Sequence, residues 1–309
     1  MISGRSGLIA LITANIDNQF YPLLLEQLSR RLQDKGYSVL RFVTDPGDQD
    51  KVVQRIMQYK WKGLLWPLQP CHRHLQGNVR KPGIPVVMFN RYVPSSPASS
   101  VTSVNIDGAR RVGDLLVQAG HKRIAFIAGD EDSSSNRDRE AGFYQGLAQH
   151  GVSVWGRMVG GYTFEGGAKA ARRLFSGTGK PDAVFVANDH MSFAVKDVLG
   201  QELGLKVPED VSVVGYDDVP VASWKGYDLT TVAQPGEAMV EATLTILTEQ
   251  IENQSVVQRA VMLPPSLVIR GTSRLPKQGC YSVRCGAPVS NLANLTVDNH
   301  ESNSHRQDL

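Results

Sequence analysis

Chemistry-bearing side chains gather where apolar runs end. Asn15, Asp17 and Asn18, followed by Phe20 and Tyr21, come after the first run. Asn90-Arg91 follows the run ending at Phe89, and Asp130 opens a loop that leads to Arg139. Asn188-Asp189 and Asp217-Asp218 follow two further runs. Any single Asn or Asp at such a point also caps a helix. As a set they do more. Carboxylates and amides take pairs of hydroxyls, a guanidinium offers a fork, and aromatic faces cover C–H surface, which suits a neutral polyhydroxylated ligand.

Enzyme motifs fail when tested. Gly177-Thr178-Gly179-Lys180 has the end of a phosphate loop, but Pro181 stands where Ser or Thr is required and Leu174 where the first Gly belongs. No Gly-x-Gly-x-x-Gly follows the first run and no Gly-x-Ser-x-Gly elbow follows any. Ser133-Ser134-Ser135 reads as a loop with no base beside it. Cys71-His72-x-His74 and the pair Cys280 and Cys285 are incomplete as metal sites. The reading is of a protein with no catalytic residues, no metal and no cofactor.

The elements that must position these loops are strands alternating with helices. Strands are predicted at 8–14, 37–44, 63–66, 84–89, 101–106, 123–128, 157–162, 182–187, 211–216, 261–263 and 267–269. Helices are predicted from Asn18, as N-cap, to a stop at Gly36, and at 48–59, 107–119, 137–150, 165–175, 190–203 and 240–253. Continuous rather than alternating apolar runs suit parallel strands covered on both faces, joined by right-handed crossovers. A Pro/Ser-rich break at 94–97 separates two stretches of this pattern.

The 309 residues suit two domains, and 41% hydrophobic against 20% charged residues gives enough apolar material for cores. A net charge of +3 is too small for nucleic-acid binding by this chain alone, and Arg110-Arg111 reads as ordinary surface. Three cysteines give no disulfide framework and fit a reducing compartment. Residues 1–14 superficially resemble a short signal peptide, but they make a good buried first strand, the reading preferred here. No segment reaches the ~18 apolar residues that span a membrane.

Val186-Ala187-Asn188-Asp189-His190-Met191, followed by Val211-Ser212-Val213-Val214-Gly215-Tyr216-Asp217-Asp218, resembles the paired signature of the LacI/GalR repressor family. Gly120-His121-Lys122-Arg123-Ile124-Ala125-Phe126-Ile127-Ala128-Gly129, Arg139-x-x-Gly142-Phe143, Leu229-Thr230-Thr231-Val232-x-Gln234-Pro235 and Leu263-Pro264-Pro265-Ser266-Leu267-Val268-Ile269-Arg270 continue the resemblance, which runs from about Gly7 to Arg274.

The resemblance implies an α/β fold of the periplasmic-binding-protein-like type I: two doubly wound parallel-sheet lobes joined by three crossovers. The first lobe would take 7–104 and 235–263, the second 105–234 and 264–275, leaving 276–309 as an irregular polar tail. It implies a ligand-sensing domain of a cytoplasmic, homodimeric transcriptional regulator, with a sugar or sugar-like effector in the cleft between lobes. The implied contacts are Phe20, Tyr21, Asn90, Arg139, Tyr162, Asn188, Asp217 and Gln234, and Asn90 stands where many sugar-binding members carry Asp. Operator DNA would be met only through an N-terminal helix-turn-helix head, which does not precede the first strand here, and no membrane contact is implied. A sugar-binding protein of a transporter shares the fold and is the alternative; it would require residues 1–14 to be cleaved, removing the first strand.

Overall fold

The alternation of apolar runs and amphipathic stretches builds two separate six-stranded sheets in the computed structural model, which describes residues 7–13, 18–44, 54–56, 58–66, 84–94, 96–254 and 256–276. The first sheet contains β1 (Leu8–Thr13), β2 (Ser38–Val43), β3 (Gly63–Trp66), β4 (Val86–Phe89), β5 (Ser99–Ser103) and β11 (Ala260–Leu263), in the order β11-β5-β4-β3-β1-β2. The second contains β6 (Ile124–Ala128), β7 (Gly156–Val159), β8 (Ala183–Val186), β9 (Ser212–Asp217), β10 (Thr230–Ala233) and β12 (Ser266–Val268), in the order β12-β10-β9-β8-β6-β7. All pairings are parallel except β10 with β12. β3, β4, β5, β6, β8 and β9 are buried along their whole length, as strands covered on both faces must be.

The longer helices among the described residues are α1 (Phe20–Asp34), α2 (Asn105–Gln118), α3 (Ser134–Ala148), α4 (Phe164–Leu174), α5 (Asp189–Asp197, continued by a wider turn Val198–Glu202) and α6 (Gly236–Glu252). The chain passes between the sheets three times: from β5 into α2, from β10 into α6, and from β11 into β12. This is the two-lobed, periplasmic-binding-protein-like architecture.

Several boundaries move, each for a local reason. Asn105 and Ile106 begin α2 instead of ending a strand. Ser134 and Ser135, expected in a loop, form the first turn of α3, because Ser133 takes the extended N-cap conformation four residues before the charged run. The strand expected at 157–162 stops at Val159, since Gly161 and Tyr162 turn left-handed. Asn18 lies two residues before α1, and its side chain accepts from the Phe20 amide at 3.1 Å. α6 starts at Gly236, directly after Pro235, and β10 is a strand that periodicity had not separated from its motif. Arg110 and Arg111 pair with Asp107 and Asp114, which neutralises the basic run.

Asn15, Asp17, Cys71, His72, His74, Cys280 and Cys285 lie outside the described residues, as do most of the helix expected at 48–59 and the tail beyond 276. Among the described residues no helix is long and apolar enough to cross a membrane, and no group of three His, Cys, Asp or Glu could hold a metal ion.

α2 and α3 pack backbone to backbone. A Cβ on Gly142 would stand 2.1 Å from the Ile106 carbonyl oxygen, and one on Gly146 2.3 Å from that of Arg110. Neither obstacle is a flexible side chain. Gly142→Ala and Gly146→Ala are each expected to lower unfolding free energy by about 1–3 kcal/mol or more in urea titrations, through forced separation of the helices. A loss below the few tenths expected of a surface change would show that the crossing tolerates a methyl group.

Candidate functional site

The second turn of α3 carries Arg139 inward, where only 2% of the residue is exposed. Its Nε donates to Asn105 Oδ1 at 2.9 Å, and Nη1 donates to the Ala187 carbonyl at 2.6 Å. Nη2 lies 3.4 Å from Asp217 Oδ1, and the guanidinium carbon sits 3.7 Å from the centroid of the Tyr216 ring. Burial alone would push the Arg139 pKa down. Asp217 and the nearby Tyr162, Tyr216 and Tyr21 outweigh it, and the net direction is up. The charge is therefore fixed in place by α2, β8 and β9 together.

Three buried amides of the predicted set are bound at one end only. Asn90 donates from Nδ2 to the Tyr21 hydroxyl at 3.3 Å, while its buried Oδ1 meets no partner among the described residues. Asn188 caps α5 by accepting from the Met191 amide at 3.0 Å, and its Nδ2 is buried without a partner among those residues. Gln234 donates from Nε2 to Asp217 Oδ1 at 2.7 Å, and its Oε1 is likewise unmatched. So Asn188 is both a cap and a free donor. Buried polar atoms are normally paired, and a cluster of half-used amides offers two acceptors and a donor to a ligand.

Backbone strain gathers at the same place. Asn90 (φ 60°), Tyr162 (φ 61°), Asp217 (φ 126°) and Asp218 (φ 55°) are four of the six described non-glycine residues with positive φ. Such conformations concentrate where geometry is held for function. Tyr162 also needs Gly129, whose hypothetical Cβ would stand 2.2 Å from the ring.

Of the eight residues predicted from sequence, hydrogen bonds and an ion pair join Arg139, Asp217 and Gln234 directly, and Asn90 with Tyr21. Tyr21 and Tyr162 lie within electrostatic reach of Arg139. Asn188 follows Ala187, whose carbonyl Arg139 binds. Phe20 is core, and it meets the set through its edge-on contact with Tyr21, 5.5 Å between ring centroids. Arg139 lies deeper in its helix than the sequence placed it, with most of its fork already engaged. Asn105, Tyr216 and Tyr92 were missed. Tyr92 ties the lobes, its amide donating to Ser134 Oγ and its hydroxyl to Asp138 Oδ1, both at 3.0 Å. Asn105 fell in the strand expected at 101–106 and Tyr216 in the one expected at 211–216, so only a contact across elements could have shown their part in the site.

Beneath Asp217 lies a second buried carboxylate. Asp189 accepts from Thr231 Oγ1 at 2.6 Å and from the Val219 amide at 3.0 Å. Burial, then the Asp217 charge, pushes its pKa up. Burial also raises that of Asp217, against the pull of Arg139, Gln234 and Asn18. With a guanidinium beside it, Asp217 is the better placed to stay ionised, and Asp189 gains more from a proton.

Two parallel-sheet lobes with strained, half-satisfied polar loops at the carboxyl ends of their strands define a ligand-binding core. The comparisons agree. The periplasmic binding protein-like domain family matches residues 114–273. The ribose operon repressor of Escherichia coli (strain K12) is 30% identical over 269 residues, 85% of this chain and 81% of the repressor. The transcriptional repressor CytR of the same organism is 33% identical over 278 residues, 87% of this chain and 80% of CytR. A lac repressor dimer solved bound to operator and the anti-inducer ONPF superposes with a TM-score of 0.77 at 26% identity, covering 87% of this chain and 95% of that one. The chain belongs to the LacI family of transcriptional regulators and carries that family's ligand-sensing core.

The raised carboxyls give a pH signature. Between the unfolded aspartate value near 4 and the higher folded value, the folded chain keeps a proton that the unfolded chain has released, so stability falls as pH rises through that window. Asp189→Asn removes the Asp189 share. Relative to wild type, the variant should gain up to about 1.4 kcal/mol per pH unit from about pH 4 towards neutrality in urea titrations. A difference independent of pH would mean that Asp189 ionises at its ordinary value.

Proposed function

We propose that this chain senses a sugar or sugar-like effector held between its lobes, and that it catalyses no reaction. The observation that carries the proposal is the set of half-used buried amides around the Arg139–Asp217 pair. A polyhydroxylated molecule complements such a set, since each hydroxyl both donates and accepts. The names of the relatives support the class, one being a ribose operon repressor.

The lobes are taken as 7–104 with 235–263 and 105–234 with 264–275. Tyr21 and Asn90 would reach the effector from the first, Arg139, Tyr162, Asn188 and Asp217 from the second. Gln234 would reach it from the crossing segment, and Phe20 would back Tyr21. The protein is taken to be a cytoplasmic homodimer, in keeping with the dimeric lac repressor. It would meet operator DNA only through an N-terminal head of the kind the family carries, where effector-driven movement of the lobes changes the spacing of two such heads. No cofactor and no membrane enter this reading. The transporter alternative is not favoured, because the relatives are repressors.

A thermal-shift panel of sugars, sugar acids, polyols, nucleosides and purines should contain at least one compound that raises the melting temperature without being turned over. No shift across the panel would sink the sensing reading. With that compound, Asp217→Asn should bind about ten- to hundredfold more weakly by calorimetry, the loss of one charge-assisted contact. Unchanged affinity would remove Asp217 from the site. Arg139→Ala is the poorer probe, since it leaves Asp217 unpaired in the interior and should cost about 3–5 kcal/mol of stability as well.

A further inference from the structure

Asp189 is fully buried and uses both carboxylate oxygens on the protein itself. Capping of α5 does not need it, because Asn188 already accepts from the Met191 amide. The surroundings are nevertheless shaped to admit it. Gly215 in β9 has no side chain where a Cβ would stand 2.3 Å from Asp189 Oδ1. Its ladder partner in β10 is Thr231, the residue whose hydroxyl donates to that oxygen. The other oxygen takes the amide of Val219, the first residue after Asp217-Asp218. Two consecutive non-glycine residues with positive φ are costly and persist only where their surroundings over-determine them.

The rest of the segment is held by the same helix. From Val219 it runs through a short helical turn, Pro220–Ser223, to Trp224, which is 60% exposed, and on to Tyr227. Tyr227 packs on Phe193 of α5 with ring centroids 4.4 Å apart, and Lys196 Nζ donates to the Gly226 carbonyl at 2.6 Å. Asp189, Phe193 and Lys196 are spaced four and three residues apart, so they share one face of α5. That face holds the segment at both ends.

We propose that Asp189 is a positioning residue for the cleft: it clamps the Asp217-Asp218 turn onto α5 and β10 and so aims the Asp217 carboxylate at Arg139 and Gln234. This rests on the cleft being the effector site. The role is geometric, and an asparagine can fill it. The Asn Oδ1 would accept from Val219, while its Nδ2 donates to a rotated Thr231 hydroxyl. Alanine can do neither.

The test uses the full chain, with amide hydrogen exchange read by peptide mass spectrometry on wild type, Asp189→Ala, Asp189→Asn and Thr231→Val. In Asp189→Ala, amides of residues 218–228 should exchange at least about tenfold faster, with β6 and β8 unchanged, and Asp189→Asn should stay within about threefold of wild type. Unchanged exchange in the alanine variant would overturn the clamp. Faster exchange throughout the second sheet in both variants would too, since it marks an ordinary core residue. Should Asp189→Ala fail to fold, Thr231→Val decides by the same criterion, acceleration confined to 218–228 against none or a general one. D-ribose, D-glucose, cellobiose, adenosine and cytidine are then titrated. For a compound that wild type binds, Asp189→Ala should raise Kd at least about tenfold and Asp189→Asn no more than about threefold. Equal losses in both would overturn the proposal. Binding of none by wild type would count against the sensing reading, while the exchange pattern still decides the clamp.

Discussion

A guanidinium with almost no solvent contact must be matched on every side, because an unpaired buried cation costs far more than any single contact returns. Arg139 imposes that condition on the second lobe. Its charge needs Asp217, its donors need Asn105 and the Ala187 carbonyl, and its face lies on Tyr216. Those partners come from the start of α2, the end of β8 and the end of β9, three elements far apart in sequence. Their strand ends must therefore stay in register for the cation to remain buried. The floor beneath is stiff in turn, with Phe126, Phe143 and Phe185 in mutual ring contact and Tyr216 packed on Phe185. Close packing of that kind does not deform smoothly, so a ligand bound above it meets a preset geometry.

Geometry of this sort carries strain, and the strain has visible supports. Asn90 keeps a positive φ while its amide donates to the Val101 carbonyl of β5 and its side chain to Tyr21. Tyr162 turns left-handed after Gly161 and fills the space that Gly129 leaves open. Asp218 pairs with Arg270 at 2.7 Å, and Val219 is bound to Asp189. Each strained residue thus owes its conformation to a neighbour on a different element. A flexible loop of the same composition would have to order itself on binding, at a cost in affinity.

How much of this the sequence discloses depends on range. The strands were legible because 124–128 and 183–186 are unbroken apolar runs, and part of the site because Asn90, Asn188 and Asp217 directly follow such runs. Asn188 and Asp217 could be singled out for that reason. Tyr216 could not, since an aromatic at the end of an apolar strand reads as core until a helix from elsewhere lays a cation on its face. Asn105 was hidden differently: Ser-Val-Asn-Ile continues an extended pattern, and only the crossing between lobes makes Asn105 the first helical residue. The early start of α3 was missed because three serines suit a loop as well as an N-terminal turn. Positive φ at Asn90 and Tyr162 left no local mark beyond the glycine beside Tyr162.

The same network places the cleft in contact with the crossings between lobes. Asn105, which holds Arg139 Nε, opens the helix entered from β5, and its own Nδ2 donates to the Ser103 carbonyl at 3.1 Å. Gln234, which holds Asp217, lies between β10 and α6, in the second crossing. Two of the three passages between lobes thus end in side chains bound to the buried ion pair. A ligand shifts a two-state protein only through contacts it makes better in one state. Here a group that competes for Asp217 or Arg139 changes the hydrogen bonds of Gln234 and Asn105, which sit at the crossings between the lobes. Direct ties such as Tyr92 to Ser134 and Asp138 bridge the lobes from side chains outside the ion pair. Those two sets of bonds, one at the crossings and one across the gap, are the ones that any movement of one lobe against the other would have to change.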